Sequence, residues 1–136
     1  MKRFALVLAV AICGLAIAQP AFAEGKWTSY ISGALTGFDS RSWSDSNSDN
    51  QSTDVRFDDC EDRNTNIEPD NVYIQLTKEN TFTPDEDRGR KVEYCENTDT
   101  RYWGDQPSGN YHFTIIRING NTSGGRVDVP FVKVWY

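Results

Sequence analysis

Histidine is nearly missing from this chain, with His112 standing alone. That removes most routes to catalysis in which an imidazole takes a proton or activates a nucleophile. Cysteine is scarce as well: Cys13, Cys60 and Cys95 form no Cys-x-x-Cys pair, and with one histidine they lack the spacing of a zinc site. No apolar run reaches the roughly 20 residues that cross a bilayer as a helix. No serine lies in Gly-x-Ser-x-Gly, and Gly120, Gly124 and Gly125 fall in a turn-rich cluster instead of a phosphate-cradling loop. Segments of helical period with caps are absent. An excess of positive charge is missing too, since 14 Lys and Arg stand against 20 Asp and Glu, a net charge of −6. Affinity for nucleic acid or anionic lipid is therefore disfavoured.

What is present begins with an export signal. Lys2 and Arg3 precede an apolar run over residues 4–18, and Ala21-Phe22-Ala23 supplies a small-x-small cleavage site, so the mature chain is expected to start at Glu24. Ile12 before Cys13 is too bulky for lipoprotein processing, and the apolar run continues past Cys13. Cleavage removes Lys2 and Arg3 and no acid, which leaves 12 basic side chains against 20 acidic and a net charge of −8. Residues 24–136 fit one domain with room for a core. The expected address is outside the cytoplasm, secreted or, as the alternative, periplasmic.

In that oxidising compartment Cys60 and Cys95 have only each other as intramolecular partners, which predicts one disulfide. Closing a loop of about 36 residues stabilises by roughly 3 to 4 kcal/mol in the chain-entropy model.

Period-two alternation predicts strands over 72–78, 91–95, 111–118 and 126–136, with shorter candidates at 27–32, 40–44 and 53–57. Residues 81–90, with Pro84-Asp85 and Gly89, read as a loop. The turn-forming run 119–125 makes the last two strands the best candidate hairpin. In the last strand Val127, Val129, Phe131, Lys133 and Trp135 fall on one face, and Pro130 implies an edge position or a bulge. Many short strands between Gly, Asn, Asp, Ser and Pro clusters point to an all-β antiparallel β-sandwich with one disulfide, a small β-barrel being the alternative.

Residues 44–54 contain no apolar side chain, which predicts a solvated loop. Within it Asp45, Asn47 and Asp49 have the alternate spacing of calcium ligands, but Asn50 stands where an EF-hand needs glycine and Arg56 where it needs a bidentate glutamate. Calcium through a non-EF site is the one cofactor this spacing leaves open. Asp58, Asp59, Glu61, Asp62, Glu68 and Asp70 cluster around Cys60, and a carboxylate pair for glycoside hydrolysis could be drawn from them, although any acidic domain offers such pairs. Tyr102 and Trp103, followed by Gly104-Asp105-Gln106-Pro107, are the candidates for an exposed aromatic contact, set against packing of Trp103 on the sandwich.

Ser40-Arg41-x-Trp43-x-Asp45, the Cys60 and Cys95 pair, Ser108-Gly109-Asn110-Tyr111-His112-Phe113 and the valine-rich aromatic end together resemble small exported bacterial β-proteins of uncharacterised function. The resemblance implies no catalytic or binding residue. The expected function is non-enzymatic binding, by a monomer, of an extracellular glycan, envelope component or protein. The alternatives are an exported antagonist of the bacteriocin or inhibitor type and a small carboxylate-dependent hydrolase.

Overall fold

Alternation of buried apolar and outward polar residues places two chain segments at the centre of one sheet. Val72, Ile74 and Leu76 on one, and Tyr111, Phe113 and Ile115 on the other, are fully buried. The computed structural model describes residues 25–96 and 99–136; the expected signal peptide over 1–23, with Cys13, and the expected mature start at Glu24 lie outside them. Among the described residues there is no helix, and the strands in chain order are β1 (Lys26–Leu35), β2 (Phe38–Asp39), β3 (Trp43–Asp45), β4 (Ser52–Asp58), β5 (Glu61–Asp62), β6 (Val72–Glu79), β7 (Glu86–Glu93), β8 (Thr100–Asp105), β9 (Gly109–Ile118) and β10 (Arg126–Trp135). They form two antiparallel sheets, ordered β1-β10-β4-β8 with β5 also on β10, and β2-β9-β6-β7 with β3 also on β9. The sheets stack as a sandwich and do not close into a barrel.

The core between them is strongly aromatic. Trp27 lies 5.9 Å from Trp43 and 6.3 Å from Phe113, and Phe57 meets Phe113 edge-on at 5.4 Å. Such pairs add to the stabilisation from burial alone. The Tyr111 hydroxyl donates to the carbonyl of Pro107, which satisfies its one polar atom inside the core. Burial pushes that phenol up to about 12.

β10 is a central strand, not the edge that Pro130 alone allowed. The proline is accommodated by a bulge: on the β1 side the register passes from Ser29 opposite Val132 to Ile31 opposite Val129, so β10 carries an extra residue there. On its other side, pairing with β5 ends at Asp128 and pairing with β4 begins at Phe131, so the missing N–H of Pro130 falls between ladders. The bulge shifts the phase of burial. Val127 and Val129 before it, and Val132 and Val134 after it, are all buried, whereas Phe131, Lys133 and Trp135 turn to the outer face. The single face expected for residues 127–135 is thereby corrected.

The expected hairpin between the last two strands is also corrected, because β9 and β10 belong to different sheets. A seven-residue connection is long enough to cross the roughly 10 Å between stacked sheets. Asn119 and Gly120 adopt positive φ there, and the loop is tied back by Asn119 N–H to the Asn71 carbonyl and Gly120 N–H to Asn71 Oδ1, both at 2.9 Å. The loop expected over 81–90 ends early, since β7 starts at Glu86. This edge strand carries Asp87, Arg88, Arg90 and Lys91, charges that discourage further pairing and hide the alternation by which strands are read.

Cys60, just after β4, is bonded to Cys95, just after β7, with Cα atoms 5.3 Å apart. The bond joins the two sheets. Glu93 lies beside it, wholly buried: Oε1 accepts from Phe57 N–H at 3.1 Å, Oε2 has no hydrogen-bond partner, and Arg101 Nε stands 3.8 Å away. Burial raises this carboxyl to about 8 despite the Phe57 bond and the Arg101 charge.

Two outcomes follow. Replacing both cysteines by serine is expected to lower the unfolding free energy by about 3 to 4 kcal/mol in urea titrations, and an unchanged midpoint would contradict the role of the bond. Glu93 favours the fold while protonated, so its contribution is complete below pH 4.5 and is lost as pH rises toward 8. The stability difference between Glu93→Gln and wild type should therefore grow in favour of the variant by about 3 to 5 kcal/mol over that interval, read from melting curves at a series of pH values; a flat difference would contradict it.

Candidate functional site

Directly opposed residues on paired strands share a face, so the registers of the first sheet define its outer surface. Lys26 of β1 opposes Trp135 of β10, Trp135 opposes Asp54 of β4, and Asp54 opposes Tyr102 of β8. The next row is Thr28, Lys133, Arg56 and Thr100. Two aromatic side chains thus flank a carboxylate, with cationic and hydroxyl side chains one row away.

Gln51, Asp54, Thr100, Tyr102 and Trp135 line an open depression of about 270 Å³ on this face. Tyr102 is 61 % exposed, and Phe131 adds a second exposed aromatic farther along β10. Lys133 Nζ sits 4.3 Å from the centre of the Trp135 ring, a cation–π contact. Arg56 is held by Asp58 through two hydrogen bonds of 2.7 and 2.8 Å. Asp54 differs from these exposed groups. It retains only 8 % exposure, and its Oδ1 has no hydrogen-bond partner among the described residues. Burial raises its carboxyl above the ordinary aspartate value, partly offset by a hydrogen bond from Ser52.

The structure separates the aromatic pair singled out in the sequence. Tyr102 faces outward at the depression, whereas Trp103 points the other way, packs against the core and donates its indole N–H to the Gly89 carbonyl at 3.0 Å. That bond ties β8 of the first sheet to β7 of the second along their common edge. Gly89 sits at φ +106°, a conformation available chiefly to glycine.

Asp45, Asn47 and Asp49 organise their own loop. Asp45 Oδ1 accepts from Asn47 N–H at 2.8 Å and Asp49 Oδ1 accepts from Gln51 N–H at 2.7 Å, so these carboxylates close turns. Asp45 and Asp54 are buried, which corrects the expectation that all of 44–54 is solvated. Among the described residues no group of three or more His, Cys, Asp or Glu is placed to hold a metal ion.

Two members of the acidic group around Cys60 have structural tasks. Asp58 pairs with Arg56, and buried Asp62 accepts from Asn64 N–H and from the Asn119 amide. His112 lies on the second sheet, half-buried, its Nδ1 2.8 Å from Glu79 Oε1. Ser42 Oγ donates to that same oxygen at 2.5 Å, so serine and histidine meet a shared carboxylate instead of each other. These two donors hold the Glu79 carboxyl below its ordinary range.

Sequence reading did not single out Thr100, while Gln51 and Asp54 lie in the polar segment 44–54 and Trp135 in the last strand. The available signal was the row Phe131, Lys133, Trp135 alternating with valines after Pro130. The chain matches no protein family, no curated protein and no solved structure.

Trp103→Ala is expected to cost about 2 kcal/mol of unfolding free energy, as for loss of a partly buried large aromatic, measured by urea denaturation. An unaltered midpoint would show that the indole does not tie the two edges.

Proposed function

We propose that this is an exported, non-enzymatic binding module that engages an extracellular glycan, envelope component or protein through the outer face of its first sheet. The observation that carries the reading is the depression flanked by Tyr102 and Trp135, an aromatic contact surface on rigid strands. Tyrosine and tryptophan dominate binding energy where they are presented in this way. A site built on strands also needs little ordering when a partner arrives.

Location outside the cytoplasm is supported by the export signal and by the disulfide, which persists in oxidising compartments. Among the described residues no helix is long and apolar enough to cross a membrane. Binding is preferred to hydrolysis because the most shielded acids near the disulfide have other tasks. Glu93, whose carboxyl is the most perturbed, is sealed inside the core where no substrate reaches it, and Asp58 and Asp62 are held in structural hydrogen bonds.

Retention of the mature, oxidised protein on peptidoglycan, polysaccharides and whole cells tests the proposal. Tyr102→Ala and Trp135→Ala are each expected to weaken retention about tenfold, as for a moderate hot spot, with circular dichroism unchanged. Trp103→Phe should leave retention intact. Retention that survives both outer-face alanine variants would contradict the assigned surface.

A further inference from the structure

Resting on that binding reading, we infer that the depression seats one uncharged sugar ring, stacked on the exposed Tyr102 ring beside Trp135, whose hydroxyls meet Asp54, Gln51 and Thr100. Asp54 supplies the first argument. The residue keeps only 8 % exposure, it lines the depression, and Oδ1 has no partner among the described residues. A buried carboxylate oxygen without a donor is costly. Oδ1 is itself closed off from the depression, so a rotation of the Asp54 carboxylate is what brings it to a ligand's hydroxyl donor and removes that cost, which a purely apolar partner cannot do.

Charge narrows the ligand further. A cation is disfavoured because Lys133 Nζ already lies against Trp135 and Arg56 occupies the adjoining row. An anion would meet the Asp54 carboxylate within a chain of net charge −6. A sugar ring avoids both conflicts. Its C–H face stacks on an aromatic ring, and its rim offers hydroxyls that donate to Asp54 while accepting from the Gln51 amide and the Thr100 hydroxyl.

Size sets the number of rings. The volume of about 270 Å³ falls just below the 300 to 1,000 Å³ of pockets for drug-sized ligands. One ring fits. Because the depression lies on an open sheet face, the ring's linkages can continue into solvent on either side, so an internal unit of a polysaccharide is accommodated as well as a terminal one.

The test is a ¹⁵N NMR titration of the mature, oxidised protein with glucose, galactose, mannose, N-acetylglucosamine and their short oligomers. Choline and inorganic phosphate serve as the cationic and anionic probes. At least one sugar should shift the Trp135 indole N–H and the Asp54 and Tyr102 amides in saturable fashion. Trp135→Ala and Asp54→Ala, each checked for a folded spectrum, should weaken that sugar about tenfold, while Trp103→Phe should leave it unchanged.

Absence of any sugar-dependent shift at these residues overturns the inference, as does a stronger response to choline or phosphate. The two levels of the proposal separate cleanly. If no sugar binds but Tyr102→Ala and Trp135→Ala still release the protein from envelope material, the sugar assignment falls and the binding surface stands; if neither is affected, both fall.

Discussion

The bulge at Pro130 and Phe131 is the constraint on which the rest of this molecule depends. β10 is paired on both sides and must present valines to the core along its whole length, yet strict alternation through a proline would carry half of them to the surface. One extra residue resolves the conflict. Val127, Val129, Val132 and Val134 all remain inside, and Phe131, Lys133 and Trp135 are displaced together onto the outer face. Core integrity and the candidate surface thus have one geometric origin.

The remaining structure secures that arrangement from its two ends. Near β4 and β7 the Cys60–Cys95 bond joins the sheets, with Glu93 enclosed two residues before Cys95 and its carboxyl raised by burial. Along the edge between β7 and β8, Trp103 spans the sheets through the Gly89 carbonyl. With that indole turned inward, its neighbour Tyr102 is directed outward by the alternation of the strand. A structural aromatic and a candidate contact aromatic are therefore adjacent in sequence and opposite in role.

The all-β class, the disulfide and most strand positions were legible in the sequence because they rest on local signals: two cysteines with no other partner, and alternation in 72–78 and 111–118. Three features were not. Charged β7 hides its alternation, since an exposed edge selects polar side chains on both faces. Turn residues at 119–125 signal a reversal but not whether the returning strand joins the same sheet, a choice decided by packing of the two buried faces. The depression itself joins β4, β8 and β10, separated by tens of residues in the chain, so the single row shared by Trp135, Asp54 and Tyr102 is visible only from the register. Tyr102 and Trp103 are singled out together for their turn-rich surroundings, and the alternation of β8 turns Tyr102 outward while packing Trp103 against the core.

Hydrogen exchange on the mature protein, alone and bound to the envelope material that retains it, tests the central claim most directly. Slowed exchange confined to β4, β8 and the second half of β10, around Asp54, Tyr102 and Trp135, is the predicted result. Protection centred on β6, β7 and β9, around His112 and Glu79, would place the interface on the opposite sheet and contradict the account.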